Sequence, residues 1–559
     1  MLRFLKQYYP VRNVVFVIGE FAVIYASVLL AYFTLNGSAA FIENRLLPLN
    51  TLLIAVTCQV CLYYNDLYDL KVTDTFSELS IRLLQALGAT AILLAGVYSL
   101  FPLMNIGLRV FVVSIGFDIL FIVTWRFLYA FVLSRQLFDQ RIVLLGSDRF
   151  AQDILHEIRN RKDCGYAIGG ILLEKREYRN SEDGWDSEVL DSAEIPILGT
   201  KETPHFCALI KAMGIRKIIV ALNNPEDLPT RELLKCRVDG IEVMEGNSFY
   251  EMLTGKLVVD HLKPEWLIFS DGFRKPPLRR IFKRIIDLVL SLIMLLLLLP
   301  LILMIAAIIK LDRKEPDPDP RDIWSYFPKM CAKSPAEAGR NVGRRILGVA
   351  AERIPDSASM KTAEVWRRFR EICATEGVSP AERLAQWMKM EIDRVDGEGE
   401  TSHPVFFSQE RVGKDGRPYM VHKFRSMIPN AERFSGPIWA GEDDKRITRI
   451  GNFIRKWRID ELPQLWNVLK GEMSFVGPRP ERPVFVDQLE KTIPYYRERL
   501  TVKPGLTGWA QVSYGYGASE DDAKEKLNYD LFYIKNMSIL FDLVIVLRTV
   551  KIVLFGKGR

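Results

Sequence analysis

The sequence predicts a membrane α-helical bundle followed by an α/β domain, a further membrane-inserted helix and a mixed helical C-terminal domain. Three observations lead there: apolar residues cluster in runs of bilayer length, short apolar strands then alternate with helices, and the last part is dense in Gly, Pro, Arg and paired acids. With 559 residues, 49% hydrophobic and 26% charged, the chain is too apolar for disorder and too charged to be membrane throughout. Its formal net charge of +7 comes without the dense basic stripe of a nucleic-acid binder and suits a membrane surface better. Cys58 and Cys61 form a C-x-x-C inside an apolar run, where thiols act as small hydrophobes, so no disulfide framework is read. The five His are scattered without zinc spacing, which argues against a transition-metal site.

Residues 1–135 carry four runs near the roughly 20 residues that a spanning helix needs: Val14 to Phe33, Leu47 to Tyr64, Leu83 to Met104 and Leu108 to Leu133. The first is too long for the core of a cleaved signal peptide and is expected to persist. Arg3, Lys6 and Arg12 before it, Lys71 and Arg82 between spans two and three, and Arg135 and Arg141 after span four put both ends of the bundle in the cytoplasm. Glu20, Asp118 and Arg126 lie inside spans, and burial between helices accounts for them without chemistry.

Residues 140–262 change pattern. Arg141 to Gly146, Ile168 to Leu173 and Lys217 to Ala221 read as strands, and Ala151 to Arg161 as a helix, which together make a small Rossmann-like α/β domain with a parallel sheet. The turn Gly146-Ser-Asp-Arg-Phe-Ala151 has one glycine where a dinucleotide fingerprint needs three, so the domain is read as a regulatory or scaffolding module.

Residues 279–312 hold a fifth run, uncharged from Leu288 to Ile309 and interrupted by Pro300. Arg279, Arg280, Lys283 and Arg284 precede it, and Lys310, Arg313 and Lys314 follow it. A crossing would leave one basic cluster outside, so a re-entrant helical hairpin bent at Pro300 is preferred to a kinked span. Residues 313–401 open with Pro316-Asp-Pro-Asp-Pro320 and continue as charged helical stretches, an inserted subdomain with no catalytic spacing and no assigned role.

Residues 402–559 carry the chemistry. Gln409 to Gly413, Lys423-Phe-Arg-Ser-Met427, Asp444 to Thr448, Arg458-Ile-Asp-Glu-Leu-Pro-Gln464, Val476-Gly-Pro-Arg-Pro480 and Lys503 to Gln511 follow one another. Arginine forks match phosphate oxygens in pairs and glycine turns let backbone N–H groups approach an anion. Adjacent Asp460 and Glu461 could attack phosphorus or hold Mg²⁺ against a pyrophosphate; on spacing alone a surface pair bridged to Arg455 or Arg458 is the favoured reading. No Walker lysine motif is present, so nucleoside triphosphate hydrolysis is not indicated.

Together these motifs resemble the bacterial sugar transferase family, the monotopic polyprenol-phosphate phosphoglycosyl transferases, in their large form with a four-helix bundle and a Rossmann-like module ahead of the catalytic domain. The resemblance runs through about Arg279 to Asp312 and Ser402 to Lys557, including Tyr529 to Asn536 and Asp542. It implies that Asp460 is the nucleophile taking a sugar phosphate from a UDP-sugar, with release of UMP, and that undecaprenyl phosphate then collects the group. Glu461 is implied as a metal-site or acid/base partner, with Mg²⁺ held at Asp460 and Glu461. Arg479 within Pro478-Arg-Pro480 is implied to hold the uridine diphosphate, and Lys423, Arg425, Arg458 and Asp530 to serve phosphate and active-site roles. The resemblance also implies a bacterial inner-membrane protein whose catalytic domain faces the cytoplasm and starts an exopolysaccharide or capsule repeat unit. A homodimer through the bundle and middle domain fits the large form, and nucleic acid is not an expected partner.

Two departures stand out. Leu299 precedes Pro300 where the family often has Ser, and residues 313–401 interrupt a stretch that normally runs straight on into Ser402-His403-Pro404. Other function classes are a membrane glycosyltransferase, which would release UDP, and a non-catalytic assembly scaffold, which would not need Asp460, Glu461 and Arg479 intact.

Overall fold

The computed structural model describes residues 2–311 and 404–555 apart from isolated positions and stretches such as 69–75, 135–138, 174–194, 223–227, 265–271 and 429–443. The expected helical insertion at 313–401 lies outside the described residues. The chain divides into two units, Met1–Phe269 and Ser270–Arg559.

The first unit opens on a short antiparallel pair, β1 (Leu2–Phe4) and β2 (Gln7–Tyr9), followed by four long helices: α1 (Val11–Glu43), α2 (Leu47–Tyr64), α3 (Phe76–Leu100) and α4 (Leu108–Ser134). Each is long and apolar enough to cross a bilayer. Helix α3 starts before the expected Leu83 and stops at Leu100, because Pro102 opens a separate 3-10 turn, Pro102–Met104. Ile24, Cys58, Cys61, Leu87 and Ile122 meet in the bundle core, where both cysteines are buried free thiols.

Glu20 and Arg126 are buried together in that core. Arg126 Nε donates to Glu20 Oε1 at 2.9 Å and Nη1 donates to Leu67 O at 2.6 Å, while the guanidinium stands 5.4 Å from the Phe16 ring centroid. A carboxylate away from water is tolerable only with its cation. Arg126→Ala is therefore expected to destabilise the bundle by about 3–5 kcal/mol, read as a lower thermal midpoint in detergent, and the paired change Glu20→Gln/Arg126→Met should recover most of the loss.

After the bundle comes a five-stranded parallel sheet in the order β5-β4-β3-β6-β7, from β3 (Gln140–Leu145), β4 (Tyr166–Leu173), β5 (Ile197–Thr200), β6 (Lys217–Val220) and β7 (Glu242–Glu245). Helices α5 (Arg149–Asn160), α6 (Phe206–Ala212), α7 (Thr230–Val238) and α8 (Gly246–Thr254) accompany it, and cores form on both faces. The sequence showed the three inner strands as apolar runs. The two edge strands are four residues each and only half-buried, too short and mixed to register as periodic. At the first turn Asp148 caps α5 and accepts from Ala151 N at 2.9 Å. The protein's own carboxylate thus takes the N–H that a bound phosphate would use.

The second unit begins with α9 (Pro277–Leu311), the fifth helix long and apolar enough to cross a membrane. Pro300 lies inside it, and no connecting turn separates two arms as a hairpin would require. Proline removes one helical hydrogen bond, which an apolar helix tolerates when its neighbours continue the ladder. Both halves of α9 pack on the rest of this unit. Arg284 donates to Val468 O at 2.6 Å and Leu469 O at 2.8 Å, and toward the other end Ile305 and Ile309 share a core with Phe424 and Ile454.

Beyond it, β8 (Phe406–Val412) and β9 (Pro418–Phe424) form an antiparallel hairpin, and β10 (Ser474–Val476) pairs in parallel with β11 (Gly505–Thr507). The helices are α10 (Arg449–Lys456), α11 (Gln464–Lys470), α12 (Pro483–Thr492), α13 (Trp509–Ser513), α14 (Glu520–Asn536) and α15 (Ile539–Leu554).

Candidate active site

The acidic centre sits between two helices whose ends are written into the sequence. Thr448 starts α10 by accepting from Gly451 N at 2.9 Å, and α10 ends where Arg458 takes a left-handed backbone, φ 53°. A non-glycine residue held there stores about 1–3 kcal/mol. The chain then tightens into the 3-10 turn Ile459–Glu461, and Pro463, which has no N–H to lose, leads into α11. Asp460 and Glu461 are each 7% exposed on this turn, so the surface-pair alternative does not describe them.

Three cations converge on Glu461. Arg479 Nη2 reaches Oε1 at 2.8 Å, Lys423 Nζ reaches the same oxygen at 3.3 Å, and Arg458 Nη1 lies 3.6 Å from Oε2. Burial opposes ionisation of Glu461, but Arg479, Lys423 and Arg458 overcome it and hold the carboxyl well below the usual range. Asp460 accepts no hydrogen bond among the described residues. Burial, and then the charge of Glu461, push it up to about 6 against the pull of Lys423, Arg455 and Arg479. The adjacent carboxyls are driven apart in acidity, the pattern that separates two roles in one site.

Lys423 belongs to β9, opposite Phe407. Its strand is held by the fully buried Asn467, whose Oδ1 accepts from His422 N at 3.2 Å and whose Nδ2 donates to Met420 O at 2.7 Å. Arg479 follows β10, and the root of its loop is glycine because backbones touch there. A Cβ on Gly477 would stand 2.4 Å from Lys503 O, and one on Gly505 would stand 2.1 Å from Gly477 N. The N–H groups of these glycines go to backbone carbonyls, Gly477 N to Thr507 O at 2.9 Å and Gly505 N to Pro478 O at 2.9 Å. They shape the loop instead of facing an anion, as the sequence had suggested. Pro478 and Pro480 flank Arg479, and Pro480 O accepts from Arg411 at 3.1 Å.

Arg425 and Asp530 stand apart from the dyad. Arg425 Nη2 donates to Ile309 O at 3.5 Å, at the last turn of α9. Asp530, 1% exposed on α14, pairs with Arg499 at 2.8 Å, and Arg499 also donates to Arg479 O at 2.9 Å. Asp530 thus supports the arginine loop from behind. Asp530→Ala would strand Arg499 and is expected to cost about 3–5 kcal/mol, measured as a fall in the thermal midpoint. Burial pushes Asp530 up to about 6 despite Arg499, so neutral Asp530→Asn should be much milder. Sequence reading missed Arg499 and Asn467: one of the two Arg in Tyr496-Arg-Glu-Arg-Leu500 and a lone helix Asn carry no spacing that singles them out.

Among the described residues no group of three or more His, Cys, Asp or Glu side chains is placed to hold a metal. Of the two dyad carboxylates, Glu461 is engaged by cations and Asp460 is not in direct contact with one among the described residues, which suits Mg²⁺ held by one carboxylate together with substrate phosphates.

The site lies in the part of the chain that matches known proteins. Residues 396–556 match the family model described as bacterial sugar transferase. The sugar transferase EpsL of Bacillus subtilis is 41% identical over 155 residues, 28% of this chain and 72% of that protein. The chain belongs to the bacterial sugar transferase family. Another bacterial sugar transferase, the UDP-N-acetylgalactosamine-undecaprenyl-phosphate N-acetylgalactosaminephosphotransferase of Aeromonas hydrophila, is 51% identical over 159 residues, 28% of this chain and 37% of that protein. The UDP-glucose:undecaprenyl-phosphate glucose-1-phosphate transferase of Escherichia coli is 44% identical over 149 residues, 26% of this chain and 32% of that protein. In these last two the match spans about a third of the bacterial sugar transferase's length.

Proposed function

We propose that the protein transfers a hexose 1-phosphate from a UDP-sugar to undecaprenyl phosphate, releasing UMP and starting a polysaccharide repeat unit. The observation that carries this is the dyad: a carboxyl free of hydrogen-bond donors and raised to about 6, beside one clamped by three cations. Asp460 is ionised at neutral pH and uncommitted, as a nucleophile must be. Its oxygen attacks the β-phosphorus, the bond to the bridging oxygen breaks, and UMP leaves with that oxygen. The aspartyl phospho-sugar is then attacked by a phosphate oxygen of undecaprenyl phosphate, which returns Asp460 as carboxylate.

Arg479, Lys423 and Arg458 are the donors available to the diphosphate. As they turn to phosphate oxygens, Glu461 loses its clamp, its proton affinity rises, and it becomes able to exchange a proton. Mg²⁺ held by Asp460 would neutralise diphosphate charge when bound. Helix α9 is continuous and not the expected hairpin, but its two-ended packing on its own unit supports a helix that lies along the membrane without crossing it, because a helix fastened at both halves to one globular domain does not carry the chain across the bilayer. That reading keeps the site on the cytoplasmic face, where nucleotide sugar and lipid phosphate meet. The relatives' names favour a UDP-linked hexose or N-acetylhexosamine donor.

The test is the nucleotide released from a panel of UDP-sugars by the full chain in lipid with undecaprenyl phosphate and Mg²⁺. UMP is expected. UDP would instead make the protein a glycosyltransferase, and no nucleotide from any donor would favour the scaffold.

A further inference from the structure

Between its basic ends, the first half of helix α9 carries one polar stripe. Lys283, Arg284, Asp287 and Ser291 recur at the spacing of a single helical face, while Ile285, Val289, Leu292, Leu296 and Leu297 are exposed elsewhere on the helix. A carboxylate on a lipid-facing helix is costly unless it is fully engaged. Asp287 is 4% exposed and doubly engaged: Oδ2 accepts from Ser474 Oγ at 2.8 Å and Oδ1 accepts from Phe475 N at 3.0 Å.

These bonds complete a strand that has one partner strand among the described residues. Strand β10 pairs with β11 through Ser474 and Val476, so the Phe475 N–H points to the opposite edge, where a third strand would otherwise be needed. Asp287 supplies the acceptor there. The strand runs directly into Gly477, Pro478 and Arg479, whose guanidinium clamps Glu461. One turn earlier on the stripe, Arg284 holds the carbonyls that end α11, the helix that follows the dyad turn.

We infer that Asp287 is a positioning residue for the diphosphate of the donor: from the lipid-embedded helix it fixes β10, and with it the loop that sets Arg479 opposite Glu461. This rests on the sugar-phosphate transfer reading. Donor affinity then depends on the seating of α9.

The test uses the full chain in lipid nanodiscs, with UDP binding by calorimetry alongside UMP release. Asp287→Ala is expected to raise both the Kd for UDP and the KM for the UDP-sugar about tenfold, with kcat changing less than about threefold. Asp287→Asn can accept from Phe475 N–H and donate to Ser474 Oγ, so it should recover most of the affinity. In an Arg479→Ala background the same Asp287→Ala change should add less than about twofold, since the two act through one loop. Unchanged Kd and KM in Asp287→Ala overturn the inference, as does an effect that simply multiplies with Arg479→Ala, or an Asp287→Asn variant as poor as Asp287→Ala. Should Asp287→Ala not fold, Ser474→Ala is expected to raise the Kd about threefold, and an unchanged value is equally fatal. A wild type that binds UDP with this Asp287 dependence yet releases no UMP overturns the functional reading and leaves the positioning role standing; one that binds no UDP overturns both.

Discussion

Asp460→Asn is expected to abolish UMP release, lowering turnover on the order of 10³-fold or more, while the protein becomes more stable. The two effects have one origin. Burial and the charge of Glu461 push the Asp460 carboxyl up to about 6 from an ordinary 3.8, so the native state binds its proton more tightly than the unfolded chain does. The stability deficit is absent below the lower value, grows as pH rises between the two, and is complete above about 6. Asparagine removes the buried charge and with it a deficit on the order of 1–3 kcal/mol, so the thermal midpoint at neutral pH should rise by several degrees. A variant that is inactive because it is unfolded shows the opposite shift. With UDP-sugar and no lipid acceptor, intact mass should show a sugar phosphate added to wild type and none added to Asp460→Asn. Single-turnover rates for wild type should fall about tenfold per pH unit below 6, as the nucleophile takes up a proton. A flat profile down to pH 4 would remove Asp460 from the nucleophile's role.

Arg479→Ala is expected to lower kcat/KM by about 10²–10³-fold, and the larger part should fall on KM if the guanidinium holds the diphosphate in the ground state. It also has an electrostatic signature that mere loss of contact lacks. Arg479 is the strongest of the cations holding Glu461 ionised. Without it Glu461 titrates higher, and its weakened clamp lets a proton distribute over both carboxyls of the dyad. The pH–rate profile should therefore change shape, where loss of binding alone would only scale it. Arg479→Lys keeps one charge but not the planar fork and should recover only part of the loss. An Arg479→Ala enzyme with wild-type KM would exclude the diphosphate role.

The fold was legible where apolar residues keep one period over a long stretch. All four bundle helices and the helix about Pro300 could be located from length and hydropathy, and Ile142 to Leu145 and Ile171 to Leu173 announced buried parallel strands. Edge strands such as Glu242–Glu245 were not, since half-buried residues alternate too briefly. In the site, the Asp460-Glu461 pair stood out in the sequence, but its role and those of Arg479, Lys423 and Arg458 came from the family resemblance, and the fold brings all five together. Asp287 and Arg499 were hidden for a physical reason. Each acts across a large sequence separation, 187 residues between Asp287 and Ser474, and nothing local distinguishes such a residue from an ordinary surface charge. Asp530 was named from the resemblance, and the fold pairs it with Arg499, a partner 31 residues away that no local pattern points to.

The glycines beneath the arginine loop bear on how donor choice can diversify. Gly477, Gly505 and Gly508 meet backbone to backbone, so no exchange of side chains at these positions can reshape the loop without pushing it apart. Adaptation to a new sugar has to be written in elements that carry side chains of adjustable volume. Mutant libraries seeking altered donor preference should hold these three positions constant and search the surrounding helices.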